Sequence, residues 1–185
     1  MRRCFLGVIL FCAVQGCSNQ TPKTVNEVLQ EASKNKDVNV GNLHYTFQLP
    51  QGWLRLDTTM QGLKVTLISQ PDTTGNLNPL MNVTTELMQN QTPEGYVQRI
   101  KNQITKSAGQ IEITKDGYIF VSGTKTIWFT YKYTKPGGAV AREMVYYSIP
   151  VNSISYNITA GVNAGGIASY KNVFDNIVAS FKLSK

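Results

Sequence analysis

The segment Thr124-Lys-Thr-Ile-Trp-Phe-Thr-Tyr-Lys-Tyr-Thr134 alternates like a β-strand and carries apolar side chains on both faces. One face would hold Trp128, and the other would hold four residues: Ile127, Phe129, Tyr131 and Tyr133. A strand that is apolar on both faces is typical of a sheet that is covered on both sides. We therefore expect a sheet whose two faces are both at least partly covered.

Further segments of strand character flank this one, and turn residues separate most of them. They are Leu43–Leu49, Gly62–Ile68, Met81–Met88, Gln110–Thr114, Tyr118–Ser122, Ala139–Ile149 and Ser153–Val162. The sequence Lys115-Asp-Gly117 lies between two of these segments, and Asp-Gly is a strong hairpin signal. Because consecutive hairpins pair antiparallel strands, the pattern predicts an antiparallel sheet of about seven strands.

Two segments have the apolar spacing of helices that pack on a sheet. The first begins at Thr92-Pro93-Glu94, where threonine is a favourable N-cap and proline suits the first helical position, and it ends near Gly109. Its apolar residues recur at steps of three and four: Tyr96, Val97, Ile100 and Ile104. The second covers Ile167–Phe181 with the same periodicity. The predicted fold class is α+β, with a central antiparallel sheet of about seven strands packed against two or three helices.

Two motifs at the ends of the predicted domain resemble the PsbP family. Tyr45-Thr-Phe-Gln-Leu-Pro-Gln-Gly-Trp53 resembles its opening strand and Pro-x-Gly-Trp turn, and Tyr170-Lys-Asn-Val-Phe-Asp-Asn-Ile-Val-Ala-Ser-Phe181 resembles its closing helix. The family includes the extrinsic protein of the oxygen-evolving photosystem, small bacterial lipoproteins and DcrB-like envelope proteins. The resemblance spans Leu43 to Leu183 and implies a sheet between helical layers. It implies no catalytic residue, because the family has no shared catalytic set.

The first residues of the chain have the features of a signal peptide. Arg2 and Arg3 precede the apolar run Phe5–Val14, which is too short to cross a bilayer and has the length of a signal-peptide core. The sequence Val14-Gln-Gly-Cys17 then resembles the lipobox of bacterial lipoproteins, although glutamine is unusual at its position. The resemblance implies cleavage before Cys17 and attachment of lipid to its thiol. The alternative is an ordinary secretory signal in which Cys17 is incidental.

These features divide the chain into three parts. Residues 1–16 are the predicted lipoprotein signal peptide, residues 17–41 a lipid-anchored tether, and residues 42–185 a single PsbP-like α+β domain. Within the tether, the segment Val25–Ser33 could form one or two helical turns with a shared apolar stripe: Val25, Val28, Leu29 and Ala32. So short a helix is marginal in water, and it would order only by docking on the domain or on a partner.

Composition excludes several classes of protein and of site. The chain has 18 basic and 11 acidic residues, but the bases are scattered, so we expect no nucleic-acid partner. Cleavage removes Cys4 and Cys12, which leaves Cys17 alone and excludes a disulfide or a cysteine-based zinc site within the mature monomer. His44 is the only histidine, which excludes a His-rich metal site. We expect no catalytic residue, no metal ligand and no cofactor.

The aromatic residues of the predicted strands allow two interpretations. Tyr131 and Tyr133 fit cross-strand packing in the core. Trp128, Tyr147 and Tyr156 fit either the core or a tyrosine-lined surface for a protein or a small ligand, because tyrosine is enriched at interfaces. The sequence leaves these three residues open.

The sequence predicts a non-enzymatic envelope lipoprotein that acts as a binding module or as a subunit of an envelope assembly such as a secretion apparatus. Its contacts would be the membrane, through the lipid on Cys17, and a protein partner. Ser18 follows the lipidated cysteine in place of aspartate, which predicts the outer membrane, facing the periplasm, if the host follows the enterobacterial sorting rule. The alternative is a lipoprotein that binds a small ligand, or a cryptic hydrolase, with a cleft at the sheet edge or under the loop Pro71–Pro79.

Overall fold

A computed structural model describes residues 45–60, 62–71, 77–106, 110–134, 138 and 140–184. These residues form nine strands and two helices. The strands are β1 (Tyr45–Thr46), β2 (Leu54–Met60), β3 (Leu63–Pro71), β4 (Leu77–Leu87), β5 (Gln110–Val121), β6 (Thr124–Thr134), β7 (Val140–Val151), β8 (Ile154–Asn163) and β9 (Lys182–Leu183). The helices are α1 (Pro93–Thr105) and α2 (Ile167–Ala179).

Seven of the strands form one antiparallel sheet in the order β2-β3-β4-β8-β7-β6-β5, so β2 and β5 are its edge strands. β1 and β9 form a separate antiparallel pair, in which Tyr45 lies opposite Leu183. The predicted α+β class, with a central antiparallel sheet and helices packed on it, is confirmed. The helical turns predicted at Val25–Ser33 lie outside the described residues.

The two faces of β6 contact different helices, as its sequence predicts. Phe129 and Tyr131 are buried under α1, in a cluster that includes Tyr96 of that helix. Trp128 packs on the opposite face, where Lys171 of α2 lies over its ring. Both faces of the strand are therefore covered. We refer to the two faces of the sheet as the α1 side and the α2 side.

The core of the α2 side is rich in aromatic residues. Phe174 of α2 is fully buried, and the helix packs against β8, β7 and β5. Nearer to β2 and β3 the segment 45–53 contributes to the same core, since Tyr45 and Trp53 are buried in it. The ring of Phe181, just after α2, stacks on Tyr45 with 5.6 Å between centroids. The two ends of the domain thus meet in one core.

Both predicted helices are confirmed, with small shifts at their ends. The hydroxyl of Thr92 accepts a hydrogen bond from the Gly95 amide at 3.1 Å, and Pro93 occupies the first turn of α1. The buried residues of α1 are those that the helical spacing predicts: Tyr96, Val97, Ile100 and Ile104. Helix α2 ends at Ala179, slightly before the predicted end, and Phe181 still packs in the core.

The hairpin predicted at Lys115-Asp-Gly117 is wrong, because β5 continues through these residues without reversal. A register shift in the first half of β5 absorbs the local mismatch with β6. Gly117 does not form a turn. It allows the Trp128 indole to lie close to the main chain of β5, because a Cβ built on Gly117 would stand 2.9 Å from Trp128 Cζ2. The chain reverses at Ser122-Gly123, where φ is 49° and 79°, the left-handed conformation that a two-residue hairpin needs.

The strand predicted at Leu43–Leu49 is shorter than expected and belongs to the small sheet. Of its described residues, only Tyr45–Thr46 pair with β9, and Leu43 and His44 lie outside the described residues. The alternation continues beyond the pairing, since Phe47 and Leu49 pack on the core of the α2 side. β2 is absent from the sequence prediction, because none of its residues is fully buried and its apolar alternation is weak.

Candidate functional site

The three aromatic residues that the sequence leaves open lie in the core or at its rim. Tyr147 is fully buried and donates its hydroxyl to Asp175 Oδ1 at 2.8 Å. Trp128 is partly buried, and the Lys171 ammonium lies 3.9 Å from its ring centroid. Tyr156 is partly buried against the same core. Core packing is therefore the correct interpretation for Tyr147, and a tyrosine-lined surface that includes it is wrong.

Burial removes several tyrosine hydroxyls from acid–base chemistry at neutral pH. It raises the pKa of Tyr45 to about 12 and the pKa of Tyr96 to about 12. It also raises the pKa of Tyr146 and that of Tyr147 well above the ordinary value, and the Asp175 carboxylate adds to the effect at Tyr147. These hydroxyls stay protonated and act as hydrogen-bonding groups within the fold.

A polar network on the α1 side centres on Asn157. Its Oδ1 atom accepts hydrogen bonds from the hydroxyls of Tyr146 at 2.7 Å and Ser155 at 2.6 Å. Its Nδ2 atom donates to the Tyr96 hydroxyl at 2.7 Å, and that hydroxyl donates to Glu86 Oε2 at 2.8 Å. Because all three hydroxyl-bearing side chains are buried, we attribute this network to the stability of the fold.

Tyr118 and Phe120 stand apart from the buried aromatic residues. Their side chains are 59% and 65% exposed, and their rings form an edge-to-face pair with centroids 5.8 Å apart. They are alternate residues of β5 on the α1 side, because Tyr118 lies opposite Ile127 at the rim of the α1-side cluster. Adjacent aromatic rings exposed to water are typical of a surface that binds another molecule.

This pair lies on an edge strand whose free edge changes character along its length. The first half of β5 contains three charged residues, Glu112, Lys115 and Asp116, and a register shift. Charges and irregularities of this kind disfavour the pairing of an edge strand with another chain. The second half, Gly117–Val121, has no charge, no proline and no register shift. β5 pairs only with β6 in the described sheet, so the main-chain groups on the other edge of this half have no strand partner among the described residues.

Lys125 of β6 supports the aromatic pair. Its ammonium lies 5.3 Å from the Tyr118 ring centroid and donates a hydrogen bond to Glu94 Oε1 at 3.0 Å. That hydrogen bond lowers the pKa of the Glu94 carboxyl. The ion pair joins β6 to the first turn of α1. We refer to Tyr118, Phe120 and Lys125, together with the edge Gly117–Val121, as the β5 surface.

The β5 surface has the geometry for strand addition. An extended segment of another chain could pair with the main chain of Gly117–Val121 and place alternate side chains against the two rings. The sequence predicts a strand here but not an exposed surface, because Tyr118-Ile-Phe-Val121 is a continuous apolar run. Which of its faces is open depends on the strand order and on the helices, and neither is a local property of the run.

The described residues contain neither a metal site nor a membrane-spanning helix. No group of three or more His, Cys, Asp or Glu side chains that could hold a metal ion occurs among the described residues. Neither described helix is long and apolar enough to cross a membrane. Cys17 and His44 lie outside the described residues, as does most of the loop between Pro71 and Pro79.

Comparison with known proteins identifies the fold. No protein family and no curated protein sequence matches the chain. Cyanobacterial PsbP (CyanoP) from Synechocystis sp. PCC 6803 is similar in structure, with a TM-score of 0.56 and 15% identity over 76% of this chain and 86% of that protein. LpqN, involved in cell envelope biogenesis of Mycobacterium tuberculosis, has a TM-score of 0.56 and 12% identity over 78% and 87%. The Saccharomyces cerevisiae Ran-binding protein Mog1p has a TM-score of 0.56 and 12% identity over 76% and 90%.

These similarities establish a PsbP-like fold, which the two end motifs of the sequence predict. Sequence identities of 12% to 15% carry no information beyond the fold. The three similar proteins are described in different terms, so the fold does not select one function. The features of this chain that bear on function are therefore the β5 surface and the N-terminal sequence.

Proposed function

We propose that this chain is a non-enzymatic lipoprotein of a bacterial envelope whose domain binds an extended segment of a protein partner along β5. The observation that carries the proposal is the exposed pair Tyr118 and Phe120 on the unprotected half of an edge strand. The main chain of the partner would pair with Gly117–Val121, and its alternate side chains would cover the two rings. The domain would then serve as a binding module of an envelope assembly.

The energetics of such a contact are favourable. Full burial of a phenylalanine-sized side chain contributes about 1.5–3 kcal/mol relative to exposure. Tyr118 is already held by β5 and by Lys125, so its ring would lose little freedom on binding. The main-chain hydrogen bonds of an added strand would fix its direction and register, while the two rings would contribute most of the affinity.

The envelope location rests on the N-terminal sequence and agrees with the comparisons. The signal-like run and the lipobox-like sequence before Cys17 support export and lipid attachment. Each buried CH₂ of an acyl chain contributes about 0.8 kcal/mol, so two or more chains would hold the protein stably at a membrane. LpqN, one of the similar structures, is described as involved in cell envelope biogenesis. If the host follows the enterobacterial sorting rule, Ser18 in place of aspartate after Cys17 supports the outer membrane, facing the periplasm.

A matched pair of charge substitutions tests the β5 surface. Phe120→Lys introduces a charge on the unprotected half of the edge, whereas Leu87→Lys introduces the same charge at a similarly exposed position on the interior strand β4. We expect Phe120→Lys to reduce recovery of the partner from mild-detergent extracts by about tenfold, a loss of about 1.4 kcal/mol, and Leu87→Lys to have little effect. Equal recovery with both variants would contradict the proposal.

The anchor is tested separately on native material. We expect mass spectrometry of the purified protein to find Cys17 as the first residue and to find it acylated. The Cys17→Ser variant should leave the membrane fraction and appear in the soluble fraction. An unmodified terminus, or a Cys17→Ser variant that still sediments with membranes, would exclude lipid attachment at this residue.

A further inference from the structure

Half of the α1 side of the sheet is not covered by α1. The cluster beneath α1 takes its members from α1, β5, β6 and β7, with Met88 after β4, and contains no residue of β2 or β3. Strand pairing extends the same face across the sheet, because Tyr146 of that cluster lies opposite Thr159, and Thr159 lies opposite Asn82. Asn82 in turn lies opposite Leu67 of β3. We refer to this region as the β2–β4 half-face, defined by Leu56, Val65, Leu67, Leu80 and Asn82.

The residues of the half-face are nevertheless buried or partly buried. Val65 is fully buried and Asn82 is 4% exposed, although Val65 belongs to neither of the two core clusters. The three leucines of the half-face are partly buried. Side chains on a sheet face with no layer above them would be solvated. The half-face therefore requires an apolar layer that the described elements do not supply.

Asn82 gives a second and independent indication. Its Oδ1 atom is buried and finds no hydrogen-bond partner within the described part of the chain. A buried carbonyl oxygen without a donor is costly, and such groups are rare in folded proteins. The missing layer should therefore bring an N–H or O–H donor beside its apolar side chains.

We propose that residues 25–33 of the same chain form a short helix that packs on the β2–β4 half-face. Its apolar stripe would lie against the sheet: Val25, Val28, Leu29 and Ala32. A helix of nine residues is about 14 Å long, which matches three strands at a spacing of about 4.8 Å. On such a helix Asn26 and Ser33 would flank the stripe, and either side chain could donate a hydrogen bond to Asn82 Oδ1. The helix is marginal in water without such a surface.

The connection between this segment and the domain is long enough. Residues 34–44 join Ser33 to Tyr45, and eleven extended residues span about 38 Å. Tyr45 lies on the α2 side beside β3, since its hydroxyl is 2.6 Å from Thr66 Oγ1. A path around the β2 edge crosses about 10 Å of side-chain layer on each side of the sheet, which is within this limit.

Docking would also set how far the domain can move from the membrane, a consequence that rests on the proposed lipid anchor. With residues 25–33 docked, only residues 18–24 would remain between Cys17 and the folded part. Seven extended residues reach about 25 Å, against about 95 Å for residues 18–44. The domain would then work close to the membrane surface.

Disulfide trapping tests the docking without any lipid. After the signal peptide, the Cys17→Ser chain has no cysteine, so two introduced thiols report a single contact. One protein combines Leu29→Cys on the stripe with Leu67→Cys on the half-face. The control combines Gln30→Cys, the next residue but on the opposite side of the segment, with the same Leu67→Cys. We expect the disulfide to form about tenfold faster in the first protein, because docking raises the effective concentration of only one thiol.

The measurement is repeated with Leu56→Cys in place of Leu67→Cys, so that the result does not depend on the placement of one thiol. Equal rates for the stripe and control proteins at both half-face positions would overturn the proposal. If disulfide-linked dimers formed in place of the intramolecular bond, the half-face would bind a second copy of the chain. That result would also overturn the proposal. These proteins carry neither the lipid nor a change in β5, so a failure here is distinct from a failure of the proposed function.

Discussion

Both sides of the central sheet have an apolar core, but in the described residues more side-chain hydrogen bonds join α1 to the sheet than join α2 to it. On the α2 side the core is aromatic and aliphatic, and the fully buried ring of Phe174 meets Trp53 edge to face at 6.3 Å. On the α1 side the helix is joined to the sheet by the hydrogen bonds around Asn157. It is also joined by Arg99, whose Nη2 atom lies 3.0 Å from Glu86 Oε1.

Apolar packing and hydrogen bonds contribute differently: packing supplies free energy of folding, and hydrogen bonds determine where a helix lies over the sheet. Apolar burial contributes free energy in proportion to area and has little dependence on angle. Hydrogen bonds have narrow ranges of length and angle, so Tyr96 and Arg99 fix the position of α1 over the sheet. We therefore expect substitutions on the α2 side to have the larger effect on stability and substitutions on the α1 side to show stronger coupling.

The largest effect should come from Phe174→Ala on the α2 side. Removing a fully buried phenylalanine ring costs about 3–5 kcal/mol, because burial is lost and a cavity remains. Urea unfolding followed by tryptophan fluorescence measures this loss. Leu87→Ala is the control, since a residue that is 61% exposed should change stability by less than about 0.5 kcal/mol. Similar losses in the two variants would contradict the apolar account of this side.

A smaller but coupled effect is expected from Asn157→Ala on the α1 side. The substitution leaves the buried Tyr146 hydroxyl without its acceptor, which costs about 2 kcal/mol. Adding Tyr146→Phe removes the stranded hydroxyl, so the double variant should be more stable than the sum of the two single losses predicts. A double-mutant cycle should give a coupling of at least about 0.5 kcal/mol. Additive losses would show that the network does not act as a unit.

The success of the sequence prediction follows from how local each signal is. The N-cap at Thr92 and the periodicity of α2 depend on neighbours within one or two turns, and both are confirmed. The Asp116-Gly117 hairpin fails because a long-range contact overrides a local preference: Gly117 is needed beneath the Trp128 indole. Ser122-Gly123 has the weaker turn signal but provides the reversal.

The candidate site was harder to predict for the same reason. Alternation places Tyr118 and Phe120 on one face of a strand, but it does not show that the strand is at an edge. Edge position follows from strand order, which the pairing of distant segments determines. Cys17 differs from these residues because its signal is contained in the preceding sixteen residues, and lipid attachment there stays a prediction.

The pH dependence of stability should distinguish a hydrogen-bonded tyrosine from an apolar neighbour. Burial raises the pKa of Tyr96 to about 12, whereas an unfolded tyrosine titrates near about pH 10. Above pH 10 the unfolded chain loses this proton first, so the stabilisation present below pH 10 falls as pH rises towards 12. Tyr96→Phe should lower stability by about 1 kcal/mol at pH 7, and its difference from the parent should shrink by pH 11.

Phe129→Leu, in the same cluster, is the control for this measurement. It removes no titrating group, so its effect on the unfolding midpoint should be the same at pH 7 and pH 11. A Tyr96→Phe difference that stays constant over this range would show that the Tyr96 hydroxyl does not stabilise the fold through its protonated form.

The smallest expected effects come from two lysines that lie over aromatic rings on opposite sides of the sheet. Lys171 is 19% exposed, lies 3.9 Å from the Trp128 centroid and bonds Asp175 at 2.6 Å, whereas Lys125 is 49% exposed and bonds Glu94 at 3.0 Å. We expect Lys171→Met to cost about 1 kcal/mol and Lys125→Met less than about 0.5 kcal/mol. Raising the salt concentration to 1 M should abolish the smaller difference and leave most of the larger one, because a partly buried pair is screened less. If Lys125→Met lowered the free energy of unfolding more than Lys171→Met, the β5 surface would be needed for the stability of the fold. The exposed rings would then no longer indicate a binding partner.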